Sequence, residues 1–259
     1  MGSFTADWLA LREPADAAAR SEALAATFAG PARRIVDLAT GTGANVRYLA
    51  PRLMGARHWV AIDDDVGLLA AFAPPAGASV AKLRLDLARA LDDLPLAGCD
   101  LVTAAALLDL VSASWLQRLA ARCAEGGVGV LFALSYDGRI EWSPSEPGDE
   151  RVRELVNRHQ LGDKGFGPAL GLGAVGTAVD AFSALGYAMQ TAPSDWKLGP
   201  ESAALQAAMI DGWLAAAAEI TPGEADALRS WAERRQAHVV AGRSRLRVGH
   251  VDMAGQPVR

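Results

Sequence analysis

Short, predominantly apolar runs at 34–38, 59–62, 80–85, 101–105 and 128–134 follow one another at β-α spacing. Stretches with helical spacing lie between them, at 45–53, 66–72 and 114–124. Strands that are apolar rather than alternating belong in a parallel sheet with helices over both faces. Right-handed crossovers then predict a doubly wound α/β fold. An earlier helix is expected over 14–30, with Pro14 in its first turn and Gly30-Pro31 as its stop. After 134 the rhythm breaks. Residues 135–175 are polar and contain glycine and proline, with one helix near 149–160. Such an excursion inside a compact domain reads as a lid or a disordered segment. Regular structure resumes with helices at 174–185, 201–218 and 224–240 and strands at 187–192 and 246–250. The expectation is one domain over 1–259, with a helical segment at 1–30, a mostly parallel seven-stranded sheet and an acceptor-side lid at 135–175.

The chain has 259 residues, 51% of them apolar, enough for a large core without disulfide or metal staples. Cys99 and Cys123 sit in apolar surroundings and read as small core residues. The net charge of −5 argues against a nucleic-acid partner, whose binding rests on Lys and Arg at phosphates. The first residues lack a basic segment followed by an apolar one, and no apolar run reaches about 18 residues, so the expected location is cytoplasmic.

The first strand runs into Asp37-Leu38-Ala39-Thr40-Gly41-Thr42-Gly43. Glycine here permits positive φ and close backbone approach to a ligand. The next helix offers free N–H groups and a positive dipole end. Asp63, 20 residues beyond Gly43 at the tip of the second strand, can accept hydrogen bonds from ribose hydroxyls. A nicotinamide-binding fingerprint, G-x-G-x-x-G/A, fits poorly. Counted from Gly41 its last position is Val46, and counted from Ala39 it is degenerate. A nicotinamide-dependent oxidoreductase is therefore the second reading. A non-catalytic partner protein that keeps the fold is the third.

The stretch 36–43 resembles the first motif, hh(D/E)xGxGxG, of the class I S-adenosylmethionine-dependent methyltransferases. Ala61-Ile62-Asp63 resembles their second motif, 83–87 the segment that reaches the adenine, and 99–108 the fourth. The resemblance covers roughly 33–134. It departs at Ala39, where glycine is usual and where a slightly displaced turn is expected. It implies S-adenosyl-L-methionine as cofactor. Asp37 would face the amino group, and Ala39, Thr40, Gly41 and Gly43 would lie beside the methionine part and ribose. Asp63 would hold the ribose hydroxyls with Asp64 close by. Asp86 and Leu87 would recognise adenine, and Ala104 would lie under the sulfonium. The alternative for Asp37 and Asp86 is that they cap turns.

The acceptor side is less legible. Asp109 follows strand four, where many relatives carry His, and either orients an acceptor or caps a helix. Ser135 and Tyr136 end strand five. In the excursion, Trp142 and Phe166 are candidates for an apolar wall, Arg139 and Lys164 for holding an anionic acceptor, and His159 for a base. A solvated surface loop accounts for them equally well. Trp8, Arg12 and Arg20 are candidates for an N-terminal lid. The D/N-P-P-Y/F element for planar amides is absent after strand four, where 104–107 read Ala-Ala-Ala-Leu. Paired glutamates like those of arginine methyltransferases are not evident around Glu141. The four histidines are scattered, so no metal site is expected, and His250 with Asp252 reads as structural. The acceptor is expected to be a small molecule, its identity and accepting atom left open.

Overall fold

The structure, a computed structural model, describes residues 5–28, 33–53, 55 and 58–258. The five apolar runs become parallel strands β1 (Arg34–Leu38), β2 (His58–Asp63), β3 (Ser79–Arg84), β4 (Leu101–Ala105) and β5 (Gly129–Ser143). The sheet order is β3-β2-β1-β4-β5-β8-β6. Both β5 and β6 (Tyr187–Pro193) pair antiparallel with β8 (Arg245–Pro257). A three-residue strand, β7 (Trp196–Leu198), adds to β8 and makes eight strands where seven were expected.

The central strands are apolar on both sides because both sides are covered. Ile35, Leu101 and Leu131 face α2 (Glu22–Ala26) and α3 (Ala44–Leu49). Their neighbours Val36, Val102 and Phe132 face α5 (Ala113–Gly126) and α7 (Ala174–Ser183). All six are fully buried, and successive strand residues point to opposite faces. Between β2 and β3 lies α4 (Val66–Ala71), capped by Asp65, whose side chain accepts the N–H groups of Gly67 and Leu68.

Two expectations change. The first helix, α1, spans Ala6–Ala19, starting at a Thr5 cap that accepts the Trp8 N–H, and Pro14 lies inside it rather than in its first turn. Arg20 is extended, which breaks the helix, and a second cap at Ser21 starts α2. The predicted stop at Gly30-Pro31 lies outside the described residues.

The fifth strand does not end at 134 but runs to Ser143. Its second half alternates: Tyr136 and Ile140 are buried and Glu141 is exposed, because only one face is covered. That face rests on a third core cluster built by α6 (Asp149–Gln160), α8 (Ala203–Ile220) and α9 (Ala225–Val240). Two register shifts against β8, with Leu134 at φ 56° and Gly138 at φ 91°, interrupt the period and hide the strand from a pattern search. Among the described residues no helix is long and apolar enough to cross a membrane.

Candidate functional site

In this sheet order the sequence of strands reverses between β1 and β4, which run parallel, and ligands of open α/β sheets bind outside the carboxyl ends of the strands at such a point. A cavity of about 570 Å³ opens there. Its floor is the turn after β1 (Ala39 to Thr42) and the turn after β4 (Ala105 to Leu107). One wall carries Asp63, Asp64 and Asp65 after β2. Another carries Leu85 to Arg89 after β3, with Leu68 and Phe166. Leu9, Arg12 and Asp16 of α1 close it from above.

The turn after β1 takes its shape from internal bonds. The Thr40 N–H donates to Ile62 O at 2.9 Å, and the Gly43 N–H donates to Thr40 O at 2.9 Å. Ala39 sits at φ 48° and Gly41 at φ 55°, so the alanine adopts the left-handed backbone that glycine takes without strain. The departure from the motif shows up as backbone strain rather than as removal of the turn from the crevice. Ala106, on the turn after β4, is likewise left-handed at φ 52°. Strained residues on both turns at one crevice are a pattern seen at functional sites.

Asp63 ties the two acidic and glycine elements together. One carboxylate oxygen accepts the Gly41 N–H at 2.8 Å and the other accepts the Asp65 N–H at 3.0 Å. Two oxygens offer about four acceptor positions, so lone pairs remain for a ligand. Burial raises its pKa, those two amide bonds oppose the rise, and Asp64 and Asp65 add to it. Asp86 stays half-exposed and accepts the Ala88 N–H at 3.0 Å, while Leu87 is buried, its carbonyl held by Trp115 Nε1 at 2.7 Å.

Asp37 lies beneath the floor instead of lining the cavity. It is fully buried and accepts bonds from Thr40 Oγ1 and Asn45 Nδ2. Burial pushes its pKa up to about 6, partly offset by those bonds and by Arg20. Asn45 extends the network, donating to Thr103 Oγ1 at 3.1 Å and accepting from Arg20. Gly43, at φ 88°, caps α3, and a Cβ there would run into the Phe72 ring. Ala104 is buried in the sheet, and its successors Ala105 and Ala106 line the cavity.

The acceptor-side candidates scatter. Of those in the excursion, Phe166 lines the cavity, packed edge-on against Trp115 at 5.4 Å, and of the N-terminal candidates Arg12 does. His159 is on α6 and meets Glu219 at 3.0 Å, while Lys164 donates to the His159 carbonyl at 3.1 Å. Arg139 pairs with Asp137 and Asp195. Trp142 stacks among Trp213, Trp231 and Arg235. Tyr136 donates to Asn157 Oδ1 at 2.7 Å. Asp109 is buried with Oδ1 unpartnered among the described residues, and burial raises its pKa to about 6. His250 is wedged between Trp196 and Tyr136, and burial lowers its pKa to about 4.

Sequence reasoning passed over Asn45, Asp16 and Leu9. Asp16 had a readable signal: it stands four residues after Arg12, the spacing of an ion pair on one helix face. Arg12 holds Asp16 through two bonds, at 2.9 and 3.1 Å, and Trp196 Nε1 donates to the same carboxylate at 3.0 Å.

No protein-family profile matches this sequence, and no curated protein does. The doubly wound α/β class expected from the sequence is the fold the structure shows, and a solved structure shares it. Among solved structures the chain is similar to a cyclopropane-fatty-acyl-phospholipid synthase-like protein from Lactobacillus casei ATCC 334. The two share 16% identity and a TM-score of 0.58 over 97% of this chain and 94% of that one. A methyltransferase from Mesorhizobium loti is 20% identical at TM-score 0.45, over 97% of this chain and 98% of that one. The cyclopropane synthase MmaA2 from Mycobacterium tuberculosis is 12% identical at 0.48, over 90% and 82%. The fold assignment rests on the first of these.

Proposed function

We propose that this chain is an S-adenosyl-L-methionine-dependent methyltransferase acting on a small-molecule acceptor. The observation that carries the reading is Asp63, a carboxylate fixed to the Gly41 N–H at the mouth of a 570 Å³ crevice and still holding free lone pairs. That volume is in the range of sites that enclose a cofactor-sized molecule, roughly 300–1,000 Å³. Asp63 would take the ribose hydroxyls, with Asp64 beside it. Asp86 and the apolar wall of Leu68, Leu87 and Phe166 would take the adenine, and the backbone of Ala39 to Gly41 the methionine end. Asp37 acts on that end through Thr40 and Asn45, which it positions.

When bound, the cofactor supplies a methyl group already activated on a sulfonium. The chain's part is orientation and exclusion of water, worth about 7–11 kcal/mol when donor and acceptor are held in line. A base is required only where the acceptor carries a proton that must leave. Calorimetry with S-adenosylmethionine and S-adenosylhomocysteine tests the reading, and failure of both to bind refutes it. Asp63→Ala should weaken S-adenosylhomocysteine by about 1–3 kcal/mol, the scale for stranding buried hydrogen-bonding groups. Unchanged affinity removes Asp63 from the ribose role.

A further inference from the structure

Arg20 is the extended residue between α1 and α2, and its side chain is only 3% exposed. A guanidinium taken out of water is unfavourable unless it is paired and hydrogen-bonded. Asp252 offers it charge but no hydrogen bond. That carboxylate stands 4.0 Å from Nε, and its two oxygens already accept the N–H groups of Ser21 at 2.9 Å and Leu134 at 2.8 Å. The hydrogen bond that Arg20 makes runs the other way, from Nη1 to Asn45 Oδ1.

From Asn45 onward the bonds can run in one direction only. The Thr103 hydroxyl gives its hydrogen to Leu131 O at 2.8 Å, so toward Asn45 it can only accept. The Asn45 nitrogen therefore faces Thr103, and its second hydrogen goes to Asp37 Oδ1 at 2.5 Å. Asp37 Oδ2 accepts the Thr40 hydroxyl. Both partners of Asp37 donate, so the ionised carboxylate is the form that suits them. Burial opposes that form, Arg20 is the cation that favours it, and Asp63 across the turn disfavours it. Arg20 itself is faced by Asp252, by Asp16 and by the Tyr48 ring, 4.3 Å away.

We infer that Arg20 is a positioning residue of the cofactor site. Through the Asn45 amide and the Asp37 carboxylate it holds Thr40, so the docking of α1 and the shape of the turn at the methionine end are set together. Thr40 and Asn45 border the crevice, whereas Arg20 and Asp37 act from behind it. The inference rests on the methyltransferase reading, which makes that turn the floor of a cofactor site.

The test begins without ligand, with an NMR titration of the Asp37 carboxyl carbon in the whole chain, assigned by its loss in Asp37→Asn. In the parent the midpoint should lie at about 6. The Arg20 Nε–H resonance, assigned by its absence in Arg20→Lys, should move with it. Arg20→Met keeps a long side chain and removes the charge, and should raise the Asp37 midpoint by about one pH unit. Arg20→Lys, which keeps the charge, should leave it near the parent's. Calorimetry with S-adenosylhomocysteine should then show affinity falling about fivefold, the worth of one hydrogen bond, as pH drops through the midpoint. In Arg20→Met this fall should start at higher pH, and in an Asp37→Asn background Arg20→Met should no longer move it. Asp63 is common to all these proteins and cancels. An Asp37 midpoint indifferent to Arg20→Met overturns the inference. So does an affinity loss of one size at every pH, the mark of a residue that only clamps α1. If Arg20→Met does not fold, a parent Arg20 resonance that ignores the Asp37 titration overturns it equally. Failure of S-adenosylhomocysteine to bind the parent sinks the methyltransferase reading instead, and the ligand-free titration still decides whether Arg20 governs Asp37.

Discussion

Asp109 lies just past the turn after β4, and replacing it by asparagine tests how the chain buries charge beside its crevice. Its side chain is nearly inaccessible and Oδ1 has no partner among the described residues. Burial raises its pKa from 3.8 to about 6; backbone amides and the Arg12 guanidinium offset only part of that. One pKa unit corresponds to about 1.4 kcal/mol, so keeping this group ionised in the fold costs about 3 kcal/mol. The folded pKa lies above the unfolded one, so the native state binds this proton more tightly. The stabilisation is fully present below about pH 4 and is lost as pH rises through about 6. Asp109→Asn keeps the shape and abolishes the titration. The new amide adds an offset of its own, but that offset does not vary with pH. Urea unfolding of both proteins from about pH 4 to pH 8 should therefore show the difference moving toward the variant by about 3 kcal/mol, mostly below about pH 6. Asp37 titrates in the same range but is common to both proteins and cancels. A difference that stays flat across this range refutes the reasoning.

Ala39→Gly relieves a left-handed alanine at φ 48°, a gain of about 1–2 kcal/mol, while the freer unfolded chain takes back about 0.4–1 kcal/mol. Urea unfolding should find the variant as stable as the parent or slightly more so, and a clear loss would show that the turn does not need this backbone. Gly43→Ala drives a methyl group into the Phe72 ring at φ 88° and should lose about 1–3 kcal/mol by the same measurement. Full stability there would mean that Phe72 packs elsewhere. Asp149→Ala strands the fully buried Arg235, which it grips through two oxygens, and also frees Trp231 Nε1. Thermal unfolding should register about 3–5 kcal/mol, and a loss near zero would put Arg235 in contact with solvent.

The parts of the site that were legible are those whose chemistry is local. Gly41 and Asp63 stand at strand ends that short apolar runs already mark, and a strand end next to a helix start is fixed by neighbours in the chain. Asp86 and Leu87 follow for the same reason. Asn45 was not legible, because its importance lies in partners on three other elements: Asp37, Thr103 and Arg20. Arg139 and Trp142 looked like loop residues with free side chains. They belong instead to a long strand whose partners, Asp195 and the tryptophans of α8 and α9, lie far along the chain.

By itself, then, the sequence determined the β-α alternation, the glycine turn and the acidic strand tips, because helix and strand periodicity and backbone freedom are properties of adjacent residues. Only the tertiary structure decided that β5 runs on to Ser143 against β8, that α1 lies over the crevice, and that Arg20 comes to rest beside Tyr48. Each of these depends on contacts between segments distant in the chain. Burial and charge compensation there are settled by the whole packed arrangement, and no local pattern encodes them.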